Sequence, residues 1–383
     1  PGVDPVQLEL FFQNNQFLGL LNVFSGGGLA NLSIVMLGVG PYITASIIMQ
    51  LLTIMSPQLK ALYQEEGEAG RKKFTQYSRL LTIPLAFIQA FGFLILLSRQ
   101  GIVTNLDFFT LMTNVIVVAA GSILLMWIGE LITEFGIGNG VSLIIFAGIV
   151  ASLPTIISQL LFSFDVSQVP LYLGFLVAAI LVTAAVVIIT EAERPVPISY
   201  ARQARWQTRG GVSTYLPLRV NQAGVIPIIF ALSILLFPQM ILNFMVTMDN
   251  VTIQSASQVI LNFLNNPWFY ALLYFVLVFL FTFFYTAVTF DPHAISTNLQ
   301  KSGAFIPGVR PGEATATYLG TILTRITLVG ALFLGLIAVL PLAMQAVTSQ
   351  AALGIGGTAL LITVSVVIDL VRKTDAQISV REY

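Results

Sequence analysis

Apolar runs dominate this chain. They fall near residues 38–56, 75–98, 108–131, 139–161, 170–190, 221–245, 267–290, 319–342 and 352–371, separated by segments that hold most of the charge. A helix needs about 20 apolar residues to cross a bilayer core, so the pattern predicts nine spanning helices. The first stretch organises the rest. Residues 20–52 read LLNVFSGGGLANLSIVMLGVGPYITASIIMQLL, broken by Gly26, Gly27 and Gly28 and again by Gly38, Gly40 and Pro41. Glycine weakens a helix; proline removes a donor and clashes with the preceding turn. The expectation is a half-helix at 29–37, a break, and a spanning helix from Pro41 to Met55. Broken backbone is tolerated in lipid only where protein or a water-filled cavity surrounds it. The stretch should therefore lie inside a bundle, against a cavity.

Composition sharpens the class. Of 383 residues, 56% are hydrophobic and 9% charged, which makes this an all-α polytopic membrane protein. The net charge is zero, so no global field points to nucleic acid. The absence of cysteine removes disulfides, thiol nucleophiles and thiolate metal sites, and the single histidine, His293, argues against a His-based metal site and reads as a solvated loop residue. No cofactor is expected. The chain opens at Pro1 without an initiator Met or a signal peptide, as if its start were missing.

Basic residues set an expected orientation. Lys60, Arg71, Lys72 and Lys73 lie in one loop; Arg194, Arg202, Arg205, Arg209 and Arg219 in the next on the same side. Lys301 and Arg310 follow, then Arg372, Lys373 and Arg381 in the tail. The alternate loops carry only Arg99. The basic loops and C-terminus are thus expected in the cytoplasm and residues 1–37 outside.

Two glycine patterns recur. Gly38-Val39-Gly40-Pro41 opens the first span and Gly224-Val225-Ile226-Pro227 the sixth; Gly136-Ile137-Gly138-Asn139-Gly140 precedes the fourth and Gly354-Ile355-Gly356-Gly357-Thr358 the ninth. Each pair is five spans apart, so the repeats would sit inverted in the membrane, with the functional site at their interface. Chance, or glycines that merely ease helix packing, is the competing explanation. Intramembrane charges normally mark ion pathways, yet the ionisable residues Glu130, Glu134, Asp291, Arg325 and Asp369 sit at or near span ends. The broken helices instead carry aliphatics: Val39, Ile43, Val141, Ile145, Ile229 and Ile362. Singly these read as core; as a set they form an apolar constriction of the kind that gates by excluding water. The long basic loops 191–220 and 301–318 suit an acidic partner or RNA phosphates. A secondary transporter, an intramembrane enzyme and a membrane scaffold are the rival classes; the first wants a midplane charge or ligand cluster and the second a catalytic set.

The segments GVGPYITASIIMQLL (38–52), EEGEAGRKKFTQYSR (65–79), GIGNGVSLIIFAGI (136–149), NQAGVIPIIF (221–230) and KSGAFIPGVRPGEATATYL (301–319) resemble the SecY family, the channel subunit of the bacterial protein-translocation complex. The resemblance spans essentially the whole chain. It implies two inverted five-helix halves around an hourglass pore, here 1–161 and 162–383, with the family's first helix missing and the C-terminal tail cut short. The function implied is a protein-conducting channel that passes secretory proteins across the membrane and releases membrane proteins laterally. It is not an enzyme; no GxxxxGK[ST] loop is present, so energy comes from a partner. By position, the pore ring falls on Val39, Ile43, Val141, Ile145, Ile229 and Ile362, with valine at two places and a correspondingly wider seal. The plug falls on Phe24, Ser25, Gly26, Gly27, Leu29 and Ile34, and the lateral gate on Thr44, Gln89 and Asn221. Docking of the SecA ATPase and the ribosome falls on Arg202, Arg205, Arg209 and Arg310. Around Arg205–Gly211 the loop departs most from the family pattern. The implied partners are SecE and SecG type small subunits, SecA, the ribosome with its rRNA, signal sequences, nascent chains and lipids. The implied location is the bacterial plasma membrane, or the thylakoid membrane given the cyanobacterial or plastid flavour of the loops.

Overall fold

The computed structural model describes residues 28–29, 32–64, 67–99, 107–162, 169–200, 214–224, 226–246, 250–264, 266–348 and 351–381. Each predicted span contains a helix. These are α1 (Gly40–Met55), α3 (Gly67–Arg99), α4 (Phe108–Phe135), α5 (Gly140–Phe162), α6 (Val169–Glu191), α7 (Ile226–Val246), α9 (Pro267–Thr289), α11 (Glu313–Thr348) and α12 (Ala351–Arg381). Three shorter helices lie between them: α2 (Pro57–Gln64), α8 (Val251–Leu264) and α10 (Pro292–Lys301). Among the described residues, Gly67–Ser98, Phe108–Phe135, Pro267–Lys301 and Glu313–Met344 are each long and apolar enough to cross a membrane unaided. Pro84, Pro154, Pro238 and Pro341 lie inside helices. Neighbouring helices and side-chain hydroxyls can re-satisfy the backbone groups such prolines release in a membrane bundle.

Local chemistry fixes the helix starts. Asn266 caps α9 by accepting from the amides of Trp268 and Phe269, with Pro267 in the first turn. Asp291 does the same for α10, whose first residue is Pro292. Both pair a side-chain acceptor with a proline whose missing N–H costs nothing at that place. At α5, the Asn139 carboxamide oxygen accepts from the amides of Val141 and Ser142, and Thr133 Oγ1 accepts from the Gly140 amide at 2.8 Å.

One expectation needs correction. The half-helix at 29–37 is not a helix: Gly28, Leu29 and 32–39 form successive tight turns, closed by amide-to-carbonyl bonds such as Met36 to Ser33, Gly38 to Val35 and Gly40 to Leu37. Leu32 and Gly38 both have positive φ, 43° and 57°, which no right-handed helix accommodates. Beside the helices stands a small sheet. β1 (Glu193–Tyr200), β2 (Thr214–Arg219) and β3 (Ala304–Phe305) form an antiparallel sheet in the order β2-β1-β3. Pro195 stands opposite Pro217. Two prolines can face each other only as a pair that exchanges no hydrogen bonds, and β3 joins β1 only at Ser199 and Tyr200, beyond the prolines. Val196 and Ile198 point inward, and Val196, Leu218 and Ile306 pack on Leu319, Ile322 and Ile326 of α11. The sheet thus ties two basic loops to one helix.

The helices meet along two seams that join the predicted halves. On one, α1 and α3 pack against α7; on the other, α5 packs against α12. The largest apolar cluster among the described residues is built from α1, α5, α7, α9, α11 and α12.

Candidate functional site

The site begins at two matching breaks. Gly38 has φ 57° and Gly224 φ 61°, a region open to glycine and costly for other residues. Three residues later, Pro41 and Pro227 each occupy the second position of a helix. Two residues further on are Ile43 and Ile229. Each break therefore aims a side chain of the following first turn into the bundle.

The six aliphatics come together. Val39, Ile43, Ile145, Ile229 and Ile362 belong to one buried cluster, and Val141 packs against it. They come from the start of α1 and from α5, α7 and α12, the helices of both seams. Ile145 and Ile362 are 1% exposed and Ile43 is 8% exposed, so these side chains of the closure are buried.

A cavity of about 760 Å³ ends on this closure. Its floor includes Ile43, Val141, Ile145 and Ile229, and its walls carry Arg71, Lys72, Arg79, Glu130 and Glu134. Arg71 and Lys72 in that lining belong to the first of the basic loops. Arg79 donates to Glu130 at 2.6 Å across α3 and α4, so the span-end charge of Glu130 is paired on the wall. Tyr42, Ser46 and Gln50 line the same cavity. Sequence reading missed them, although their four-residue spacing on an apolar helix is the signal of a polar stripe.

The other predicted positions are less uniform. Gln89 Nε2 donates to Thr44 Oγ1 at 3.5 Å across α3 and α1, and Thr44 itself donates to the Gly40 carbonyl. Asn221 does not join them. It is buried and its Nδ2 donates to the Gly224 carbonyl at 3.2 Å, bracing the break before α7. Of the plug residues, Leu29 is fully buried while Ile34 is exposed; Phe24, Ser25, Gly26 and Gly27 lie outside the described residues. Leu29 packs with Met36 and Leu37 against Phe93, Leu94 and Leu97 of α3 and Val115 and Val118 of α4. Gly121 of α4 permits this approach, since a Cβ there would collide with the Ile34 carbonyl. Arg310 is exposed in the turn before α11, where its carbonyl accepts from Thr315 Oγ1. Arg202, Arg205 and Arg209 lie outside the described residues.

The SecY family model matches residues 33–371. The chain belongs to the SecY family. It is 42% identical over its whole length to a protein translocase subunit SecY of Pseudomonas aeruginosa, covering 87% of that protein. Against a subunit of the same name from Streptomyces scabiei the identity is 40%, covering all of this chain and 91% of the relative. Among solved structures, a protein-conducting channel superposes with TM-score 0.65 at 20% identity, over 96% of this chain and 89% of that one. A SecY structure described by a plug domain that stabilises the closed state matches at TM-score 0.63 and 22% identity, over 89% and 82%. Sec61 from a canine ribosome–channel complex matches at 0.58 and 21% identity, over 89% and 80%. These chains share the SecY fold, and this SecY-family chain is an integral membrane protein.

Proposed function

We propose that this chain is the channel subunit of a protein translocase, moving secretory polypeptides across the membrane and releasing membrane proteins sideways into it. One observation carries the reading: aliphatic side chains from four helices form one buried cluster at the meeting of two seams, and those of α1, α5 and α7 close the floor of a polar cavity. A translocating chain is too varied for specific recognition. An aliphatic closure binds nothing tightly, can fit around any chain, and blocks ions by excluding water. The α1–α3 and α7 seam serves as the lateral gate, with the Gln89–Thr44 bond on one wall and Asn221 at the opposite break. The turns at 28–29 and 32–39, together with the preceding residues, serve as the plug. In this reading 1–161 and 162–383 move as two halves.

The channel subunit itself catalyses nothing; SecA or the ribosome supplies the drive through the basic loops and Arg310. SecE and SecG type subunits complete the complex. The basic loops and C-terminus lie in the cytoplasm, and the membrane is the bacterial plasma membrane or a thylakoid. The transporter alternative wants a midplane charge, whereas Glu130 sits at a span end and is paired with Arg79.

The experiment uses proteoliposomes with a SecE-type partner and SecA. The expected result is ATP-dependent import of a secretory precursor. The variant I43S/I145S/I229S/I362S should conduct ions at rest while import persists. A folded variant that stays electrically silent would return the four isoleucines to ordinary core, where each large-to-small loss costs about 2–5 kcal/mol.

A further inference from the structure

The segment between α7 and α9, one of the alternate loops of the expected topology, folds as the 14-residue helix α8. At 1.5 Å per residue it is about 21 Å long, too short to cross a bilayer core of about 30 Å. Its surface divides into three strips. Ser257 and Leu261 are buried against the protein, in contact with α7 and α9. On one flank of that strip stand the exposed polar Gln254, Gln258 and Asn262; on the other stand the exposed Ile260, Phe263 and Val259. The helix carries no charge. Three environments on one short helix are what protein, water and lipid impose when a helix lies along a membrane surface.

Its depth follows from its neighbour. Phe263 meets Phe269 in the first turn of α9, with ring centroids 6.2 Å apart. From there Trp268, Leu272, Val276 and Leu280 form an exposed apolar stripe at four-residue spacing down a helix that qualifies as a span. The apolar flank of α8 thus continues the lipid-facing surface of α9, at the level of its first turn, where aromatic side chains mark the bilayer interface.

We propose that α8 is an interfacial anchor. Ile260, Phe263 and Val259 sit in the lipid leaflet beside α7 and α9, at the glycerol and upper acyl level, with Gln254, Gln258 and Asn262 in water. Its occupant is bilayer lipid, held by apolar burial without headgroup charge recognition, because the helix offers no cation. This placement does not depend on what the channel transports.

The test is depth-resolved quenching. In a background with Trp127, Trp206 and Trp268 replaced by phenylalanine, F263W and, separately, Q258W are reconstituted into phosphatidylcholine vesicles. The lipids carry bromine either near the glycerol end or near the acyl terminus. The expected result is loss of most F263W emission with shallow bromines, less with deep ones, and little with aqueous iodide. Q258W should behave oppositely, quenched by iodide. I260W reports on the same flank should F263W fail to fold. Iodide quenching of F263W without bromolipid quenching would put that flank in water. Protection from both quenchers would mean that protein covers it. Stronger quenching by deep than by shallow bromines would place α8 inside the core. Each of these three results overturns the proposal.

Discussion

The two pairs of matching glycine segments fold differently. Gly38–Pro41 and Gly224–Pro227 are alike in detail: a left-handed glycine, a proline in the first turn, and an isoleucine that joins the closure. Gly136–Gly140 and Gly354–Thr358 are not. The first is a true break before α5, with Gly138 at φ 88°. The second lies within α12, which starts at Ala351 and runs through it, contrary to the expectation that it precedes the span. Glycine in a sequence therefore stands for two unrelated needs. Where proline follows at fixed spacing, the glycine marks a turn. Without that partner it marks either a turn or a smooth helix surface, and the letters do not distinguish them.

Substitutions can separate these needs. The largest effect is expected at Gly140, where a Cβ would collide with the Gly129 carbonyl and come within 2.7 Å of Ile132 Cβ. Backbone on an adjacent helix cannot yield, so Gly140→Val should cost at or above the ~3 kcal/mol upper end of ordinary overpacking. Thermal unfolding in detergent would show it as a large fall in Tm; an unchanged Tm would mean that α4 and α5 do not approach this closely. Next come Gly38→Ala and Gly224→Ala. A Cβ on Gly224 meets nothing within 4 Å, so its cost is conformational alone, about 1–2 kcal/mol. If the two breaks are equivalent, the two variants should lose similar stability. A loss at one and none at the other would end the equivalence.

Span positions were legible because bilayer thickness sets the length of an apolar run, and that constraint is local. The closure was legible through family resemblance, and its six members do meet, although periodicity alone would have left them as core. The sheet was not legible. ERPVPISY and TYLPLR contain prolines that argue against a central strand, and only the position of those prolines in a pair without hydrogen bonds removes the objection. Nor was α8, since its uncharged polar flank resembles a loop when read without the third dimension. The pairing of Arg79 with Glu130, 51 residues apart, depends on how α3 and α4 pack. Asn221 was assigned to the lateral gate by resemblance alone; its bond to the Gly224 carbonyl, within its own turn, is a local competition that side-chain amides often win.

The smallest effect is expected to reverse sign between two aligned glycines. Gly138 and Gly356 hold equivalent places in the second pair of segments. A Cβ on Gly138 would touch the Lys373 side chain at an ordinary 3.6 Å, so Gly138→Ala crowds no neighbour and costs only the strain of a Cβ at positive φ, about 1–2 kcal/mol. Gly356 lies inside α12, where alanine is the better residue by about 0.5–1 kcal/mol because it restricts the unfolded chain and suits the helix. Gly138→Ala should therefore lower Tm and Gly356→Ala raise it slightly, measured under identical detergent conditions. A fall for Gly356→Ala would show that this glycine, like Gly140, is kept small for a close helix approach. The second pair would then share a packing role in place of a break.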